Sequence, residues 1–134
     1  FASDVANPDT YTKFWCDMQM YTTTMPQPDP ELFMDQYCSW LFSSRENKWQ
    51  GRNSVRWKND EYDKAYRAAE SELDPVKRAA LFIRMNDLVC MDNVIIPVVY
   101  RPRVAAVSTK LSAPLSGWDN DFWNLKDWYR DTGI

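Results

Sequence analysis

No histidine occurs among the 134 residues, so Ser-His-Asp and Cys-His nucleophiles and any histidine-ligated metal are excluded within this chain. There is no Gly-x-Gly-x-x-Gly run, P-loop or Gly-x-Ser-x-Gly elbow either, which leaves nucleotide binding and the usual hydrolase geometry without a sequence basis. Carboxylate chemistry remains. Asp29 with Glu31, or Asp119 with Asp121, can be written as the acid and base of glycoside cleavage. Asp29 is equally explained as a helix cap, because Pro30 follows it, and the Asp119/Asp121 stretch reads as turn. Cys16, Cys38 and Cys90 are odd in number and lack a short metal-type spacing. They allow at most one disulfide, support no zinc site, and fit free buried thiols equally well. Seven tryptophans and seven tyrosines offer a different chemistry, stacking on sugar rings or peptide side chains, against the alternative of core packing. Trp57, just ahead of a helix start, reads as a structural anchor.

The elements that must position these groups are announced by an Asx-Pro pair used three times, Asn7-Pro8, Asp29-Pro30 and Asp74-Pro75. The Asx oxygen accepts an orphan amide of the first turn, and proline has no amide to leave unpaired, so a helix is predicted after each. The second runs over residues 30–42, with Leu32, Phe33, Tyr37, Trp40 and Leu41 near helical spacing. The third runs over residues 75–91, with a stripe of Val76, Ala79, Ala80, Phe82, Ile83, Leu88 and Val89 opposed by Lys77, Arg78, Arg84 and Asp87. A fourth helix, capped by Asn59 or Asp60, carries Tyr62, Tyr66, Ala69 and Leu73, and should lie antiparallel to the third. Residues 18–24 and 94–100 read as strands, the latter limited to an edge by Pro97, and a further short strand is predicted after residue 103 through Val107. Residues 112–117 and the tail read as irregular. No internal repeat or low-complexity run is present.

Composition sets the class. Hydrophobic residues at 45% and only three glycines describe a globular protein rather than a linker. The formal charge of −3 hides an uneven distribution, since Asp4, Asp9, Asp17, Asp29, Glu31, Asp35 and Glu46 face only Lys13, Arg45 and Lys48 in the first third. Phosphate backbones would be repelled there, so nucleic acid is not a partner. No stretch approaches the ~20 apolar residues of a membrane span. The chain starts Phe1-Ala2-Ser3-Asp4, and processing or truncation is expected to have removed what came before. Two or three strands beside four helices, and a tail of Trp118, Phe122, Trp123, Trp128 and Tyr129 without an evident partner, point to missing polypeptide.

Three segments taken in order resemble family 5 of the extracytoplasmic solute-binding proteins, the oligopeptide- and dipeptide-binding components of ABC importers. Cys16-Asp17-Met18-Gln19-Met20-Tyr21 followed by Pro28-Asp29-Pro30-Glu31-Leu32-Phe33 is similar to the family's strand, cleft loop and Asp-Pro helix start. Gly51-Arg52-Asn53-Ser54-Val55-Arg56-Trp57-Lys58-Asn59-Asp60-Glu61-Tyr62-Asp63 resembles its segment ending in Asn-x-Glu-Tyr/Phe-Asp. Residues 74–97, with Arg78 and Asn93-Val94-Ile95-Ile96-Pro97, look like the helix that leads to an Ile-Pro strand. Together they cover most of residues 16–100.

The resemblance implies an α/β fold of the periplasmic-binding-protein-like kind (type II, cluster C). Residues 1–93 would form the later part of the second lobe, and residues 94–134 the crossover and return segment to the first lobe. It implies passive capture of a small solute by lobe closure, without catalytic residues, metal or cofactor. The implied partners are that solute, an ABC permease in the membrane and the remaining part of the same protein, in the periplasm or another extracytoplasmic space. The implied ligand-binding positions are Tyr21, Thr22, Thr23, Thr24, Met25 and Gln27; for the threonines an ordinary strand end is the competing reading. Peptide-binding relatives often place an aspartate in this loop to hold an α-amine. Here Thr24-Met25-Pro26 stands instead, which opens the implied solutes to sugars and opine-like compounds. Two other readings stand beside this one, a carbohydrate-active enzyme with paired carboxylates and an interaction module acting through exposed aromatics.

Overall fold

Asn59 and Asp74 start the two long helices as their side-chain chemistry dictates. Asn59 Oδ1 accepts the amides of Glu61 and Tyr62 at 2.9 and 3.1 Å, and α2 follows over Asp60–Ser71. Asp74 Oδ1 accepts those of Val76 and Lys77 at 2.9 and 3.3 Å, with Pro75 opening α3 over Pro75–Met91. The coordinates, a computed structural model, describe residues 7–9, 11–100, 102, 104–114, 116, 122 and 124–131. Among them the fold is mixed helix and strand, with three α-helices and one two-stranded sheet. The chain divides into two compact units, Phe1–Met25 with Asp29–Ile96, and Pro26–Pro28 with Pro97–Ile134.

The first unit holds all three helices. After the three-residue link that follows Ser71, α3 returns along α2: Arg84 Nε reaches Glu61 Oε1 at 2.7 Å and Arg78 Nε reaches the Ala69 carbonyl at 3.1 Å, so the pair is antiparallel as predicted. Tyr62, Ala65, Tyr66 and Ala69 of α2 face Phe82, Met85 and Val89 of α3, and Tyr62 and Met85 are fully buried. The predicted stripe on α3 needs correcting, because Val76, Ala79, Ala80 and Ile83 lie on the exposed side while Met85 lies inside. Arg78 also changes sides, since its guanidinium has partners within the unit. Leu73 falls beyond the end of α2 and is exposed. At the other end α3 stops in a Schellman motif. Asn93 takes a left-handed φ of 54°, the Val94 amide bonds the Val89 carbonyl at 3.1 Å, and the Asn93 amide bonds that of Cys90 at 3.1 Å.

The other Asx-Pro pairs behave differently. Asp29 Oδ1 accepts the Glu31 amide at 2.9 Å, and α1 begins there but covers only Glu31–Met34 before 3-10 turns at Asp35–Tyr37 and Ser39–Leu41. The predicted helix over 30–42 breaks at Cys38, which is extended (ψ 137°). The Asp63 carboxylate accepts the Ser39 amide and hydroxyl, and Asn53 Nδ2 takes the Cys38 carbonyl at 3.1 Å, so distant side chains satisfy the backbone that a continuing helix would have used. After Asn7-Pro8 there is a turn rather than a helix, with the Asp9 amide on Asn7 Oδ1 and the Lys13 amide on the Pro8 carbonyl. Among the described residues three α-helices therefore stand where four are predicted.

No strand forms over residues 18–24 or 94–100, nor over the described part of 103–107. Among the described residues these segments have no ladder partner, and strand propensity cannot be expressed without one. Between α1 and α2 the chain crosses itself: the Ser43 amide meets the Asn53 carbonyl at 3.0 Å and the Asn53 amide meets the Leu41 carbonyl at 2.8 Å. Gly51 permits this crossing, since a Cβ there would lie 2.1 Å from the Phe42 carbonyl oxygen. In the second unit β1 (Leu111–Ser112) pairs antiparallel with β2 (Tyr129–Arg130), placing sheet where residue 112 onward was read as irregular. Phe122 and Trp128 stack there with ring centroids 5.8 Å apart. Trp118, Asp119, Asp121 and Trp123 lie outside the described residues.

Candidate functional site

The segment singled out for ligand contact, residues 21–27, lies outside regular helix and strand and bends from residue 26 onward. Tyr21 is half-buried, edge-on to Tyr11 at 4.7 Å between centroids and 70° between planes. Burial, reinforced by the neighbouring Tyr11 phenol, pushes its pKa well up, so it stays a neutral hydroxyl. Thr22, Thr23 and Thr24 are exposed, and Met25 is half-buried. Gln27 is exposed and belongs to the second unit. The structure thus brings Tyr21 onto an aromatic partner and leaves the three threonines accessible beside it. Two open depressions lie elsewhere in the first unit. One of about 370 Å³ is lined by Asn59, Arg84, Asp87, Leu88, Met91 and Asp92; another of about 350 Å³ by Pro30, Leu73, Pro75, Arg78, Ala79 and Phe82.

The carboxylate pair Asp29 and Glu31 meets at Arg78. Its Nη1 donates to Asp29 Oδ2 at 2.6 Å, and its Nη2 donates to Asp29 Oδ1 at 3.1 Å and to Glu31 Oε2 at 2.6 Å. Nε takes the Ala69 carbonyl, and the guanidinium sits 4.8 Å from the centre of the Phe82 ring. The arrangement ties the start of α1 to both ends of the α2–α3 link. The Arg78 hydrogen bond, followed by the Glu31 amide, holds the Asp29 carboxyl below its ordinary range. An acid held ionised in this way is a poor proton donor, so Asp29 is suited to a clamp and not to the acid role in glycoside cleavage.

A carboxylate that the sequence did not single out lies nearby. Asp35 Oδ2 accepts Arg52 Nη1 at 2.6 Å, while its Oδ1 is buried without a partner among the described residues. Burial raises its pKa, opposed by Arg52 and helped by Glu31. No spacing rule marks Asp35, because its partner Arg52 lies 17 residues away along the chain. The three cysteines are free thiols, Cys16 exposed, Cys90 half-buried and Cys38 buried, where desolvation lifts the thiol to about 12 and makes it inert at neutral pH.

Several aromatics have structural partners. Trp57 Nε1 donates to Asp92 Oδ2 at 2.5 Å and its ring meets Tyr62 at 5.2 Å, which is the anchoring role predicted for it. Tyr62 donates its hydroxyl to the Met34 carbonyl at 2.6 Å. Trp40 packs against Tyr66 at 5.8 Å and carries the Arg67 guanidinium 3.9 Å over its ring. Among the described residues no three His, Cys, Asp or Glu side chains are grouped to hold a metal ion, and no helix is long and apolar enough to cross a membrane. No protein-family model, curated protein or solved structure matches the chain.

Proposed function

We propose that this chain is the later part of the second lobe, with the return segment, of an extracytoplasmic solute-binding protein of family 5, and that the complete protein captures a small solute for an ABC permease without chemistry. One observation carries the reading: the three segments that resemble the family converge on a single core. Asp29 and Glu31 of the first meet Arg78 of the third, Tyr62 of the second bonds Met34 just after the first, and Trp57 of the second bonds Asp92 of the third. Motif residues that were far apart along the chain are one another's partners. Further support comes from the exposed Ile96, Val98, Val99 and Tyr100, a β-branched run of the kind that a sheet in the remaining polypeptide would cover.

In this reading Tyr21, Thr22, Thr23, Thr24, Met25 and Gln27 line the cleft, and the solute is a peptide, a sugar or an opine-like compound. The hydroxyl-rich, uncharged character of the segment favours solutes held through neutral hydrogen bonds. The test is the complete protein, purified without added ligand, analysed by native mass spectrometry and then by thermal unfolding against peptide and sugar panels. Capture without turnover gives a bound small molecule and a melting temperature that climbs with ligand concentration, equivalent to about 2.7 kcal/mol at a hundredfold excess over Kd. Release of a cleaved product from a glycoside would overturn the proposal.

A further inference from the structure

In the first unit, Trp15 and Trp49 form a tilted wedge, their ring centroids 6.4 Å apart and their planes at 45°. The Lys13 ammonium lies 5.2 Å from the Trp15 ring centre and 5.9 Å from that of Trp49, and the Arg56 guanidinium lies 5.5 Å from the Trp49 ring. Arg56 is itself fixed, donating from Nε to the Ser43 carbonyl at 2.9 Å and from Nη2 to the Lys13 carbonyl at 2.6 Å. Trp15 nevertheless remains 70% exposed, the opposite of the usual fate of a tryptophan. Phe14, Lys48, Trp49 and Arg56 have left-handed φ values of 49°, 55°, 64° and 56°, a region that side-chain-bearing residues rarely adopt. Two of the four groups, Trp49 and Arg56, stand on such backbone, and Phe14 sets it between Lys13 and Trp15.

We propose that Trp15, Trp49, Lys13 and Arg56 form a binding site for a ring-bearing carboxylate. The ring stacks on the exposed Trp15 indole, and the carboxylate meets the Lys13 ammonium within the field of Arg56. An exposed indole recognises a flat or ring-shaped body through its face, and adjacent cations select a negative charge on that body. Both requirements are met at this wedge. Asp9 is the competing anion. It pairs with Lys13 and accepts a hydrogen bond from the Trp15 side chain; Lys13 is 21% exposed but Asp9 is 58% exposed, so the carboxylate end is open to water and an incoming carboxylate competes with it for both partners. The assignment is independent of the capture function proposed above.

The probe is benzoate, with acetate (charge without ring) and benzyl alcohol (ring without charge) as controls, followed by tryptophan fluorescence of the full chain excited at the red edge. Benzoate should give a saturable change that neither control reproduces. In W15A the saturable change should vanish, and in K13M its midpoint should rise by about tenfold, the scale of one lost charge-assisted contact. D9N should lower the midpoint by removing the competitor. Trp15 is exposed, so W15A should retain the helical circular dichroism of the parent, which separates loss of the site from loss of fold. A saturable benzoate response that survives in W15A, an equal response to benzyl alcohol, or no saturable response at all overturns the assignment.

Discussion

The α2–α3 pair and the segment from residue 96 to 107 contain comparable densities of apolar side chains but use them in opposite ways. In the helices, each long apolar side chain on the inner face meets another across the pair, the helix starts have side-chain caps, and Asn93 closes the last turn. Along residues 96–107, Val98, Val99, Tyr100 and Val104 are each more than three-quarters exposed, and no ladder forms among the described residues. A helix satisfies its own backbone and needs a partner for one face only. A strand must find another strand before its side chains can be buried at all. Comparable hydrophobicity therefore stabilises one region and leaves the other available for pairing.

Substitutions can break this contrast. Met85→Ala opens a cavity between the two helices and should lower stability by about 2–5 kcal/mol, whereas Val99→Ala removes side-chain atoms already in water and should stay within about 0.5 kcal/mol. Urea unfolding of the two variants measures the difference, and equal effects would abolish the distinction. Arg78→Met removes the guanidinium that Asp29 and Glu31 share and should remove about 1–2 kcal/mol at neutral pH. Its pH dependence has a definite sign. The Asp29 pKa is depressed in the folded state, so the stabilisation is present above the unfolded aspartate value, about 3.9, and fades as pH falls through the lower folded value. The gap between parent and variant should thus be constant from pH 7 to 5 and narrow below 4. Because Asp29 is 43% exposed, solvent screening keeps that narrowing to a fraction of the whole. Asn59→Ala removes one cap and should cost about 1 kcal/mol, a modest shift of the same curve that still exceeds the effect of Val99→Ala.

The helix starts were legible because a cap is local: Asp74, Asn59 and Asp29 each bond amides two or three residues ahead. The end of α1 was not, since the break at Cys38 is made by Asp63 and Asn53, 24 and 15 residues away from the groups they bind. Periodicity placed α3 correctly along the chain and put Phe82, Leu88 and Val89 on the inner side, but it added Val76, Ala79, Ala80 and Ile83, which are exposed, and left out Met85. Two apolar stripes run along that helix, and only the position of α2 decides that Met85, rather than Ile83, turns inward. The strands over 18–24 and 94–100 were read from propensity, which reports fitness for a sheet without supplying its other half. Within the candidate site the residue types were legible, but the Tyr11–Tyr21 contact and the Trp15–Trp49 wedge depend on turns whose left-handed residues, Phe14 and Trp49, carry no glycine or asparagine to announce them.

At the crossing between α1 and α2, the space that a single methyl would fill is already occupied by a carbonyl. In a saturation library, position 51 would register as intolerant as any group that touches a ligand, although it has no side chain to touch one. Its mutational silence would report the thickness of a peptide plane. Sensitivity maps of this protein will therefore carry two kinds of signal, recognition and clearance, and position 51 gives the reference level for the second.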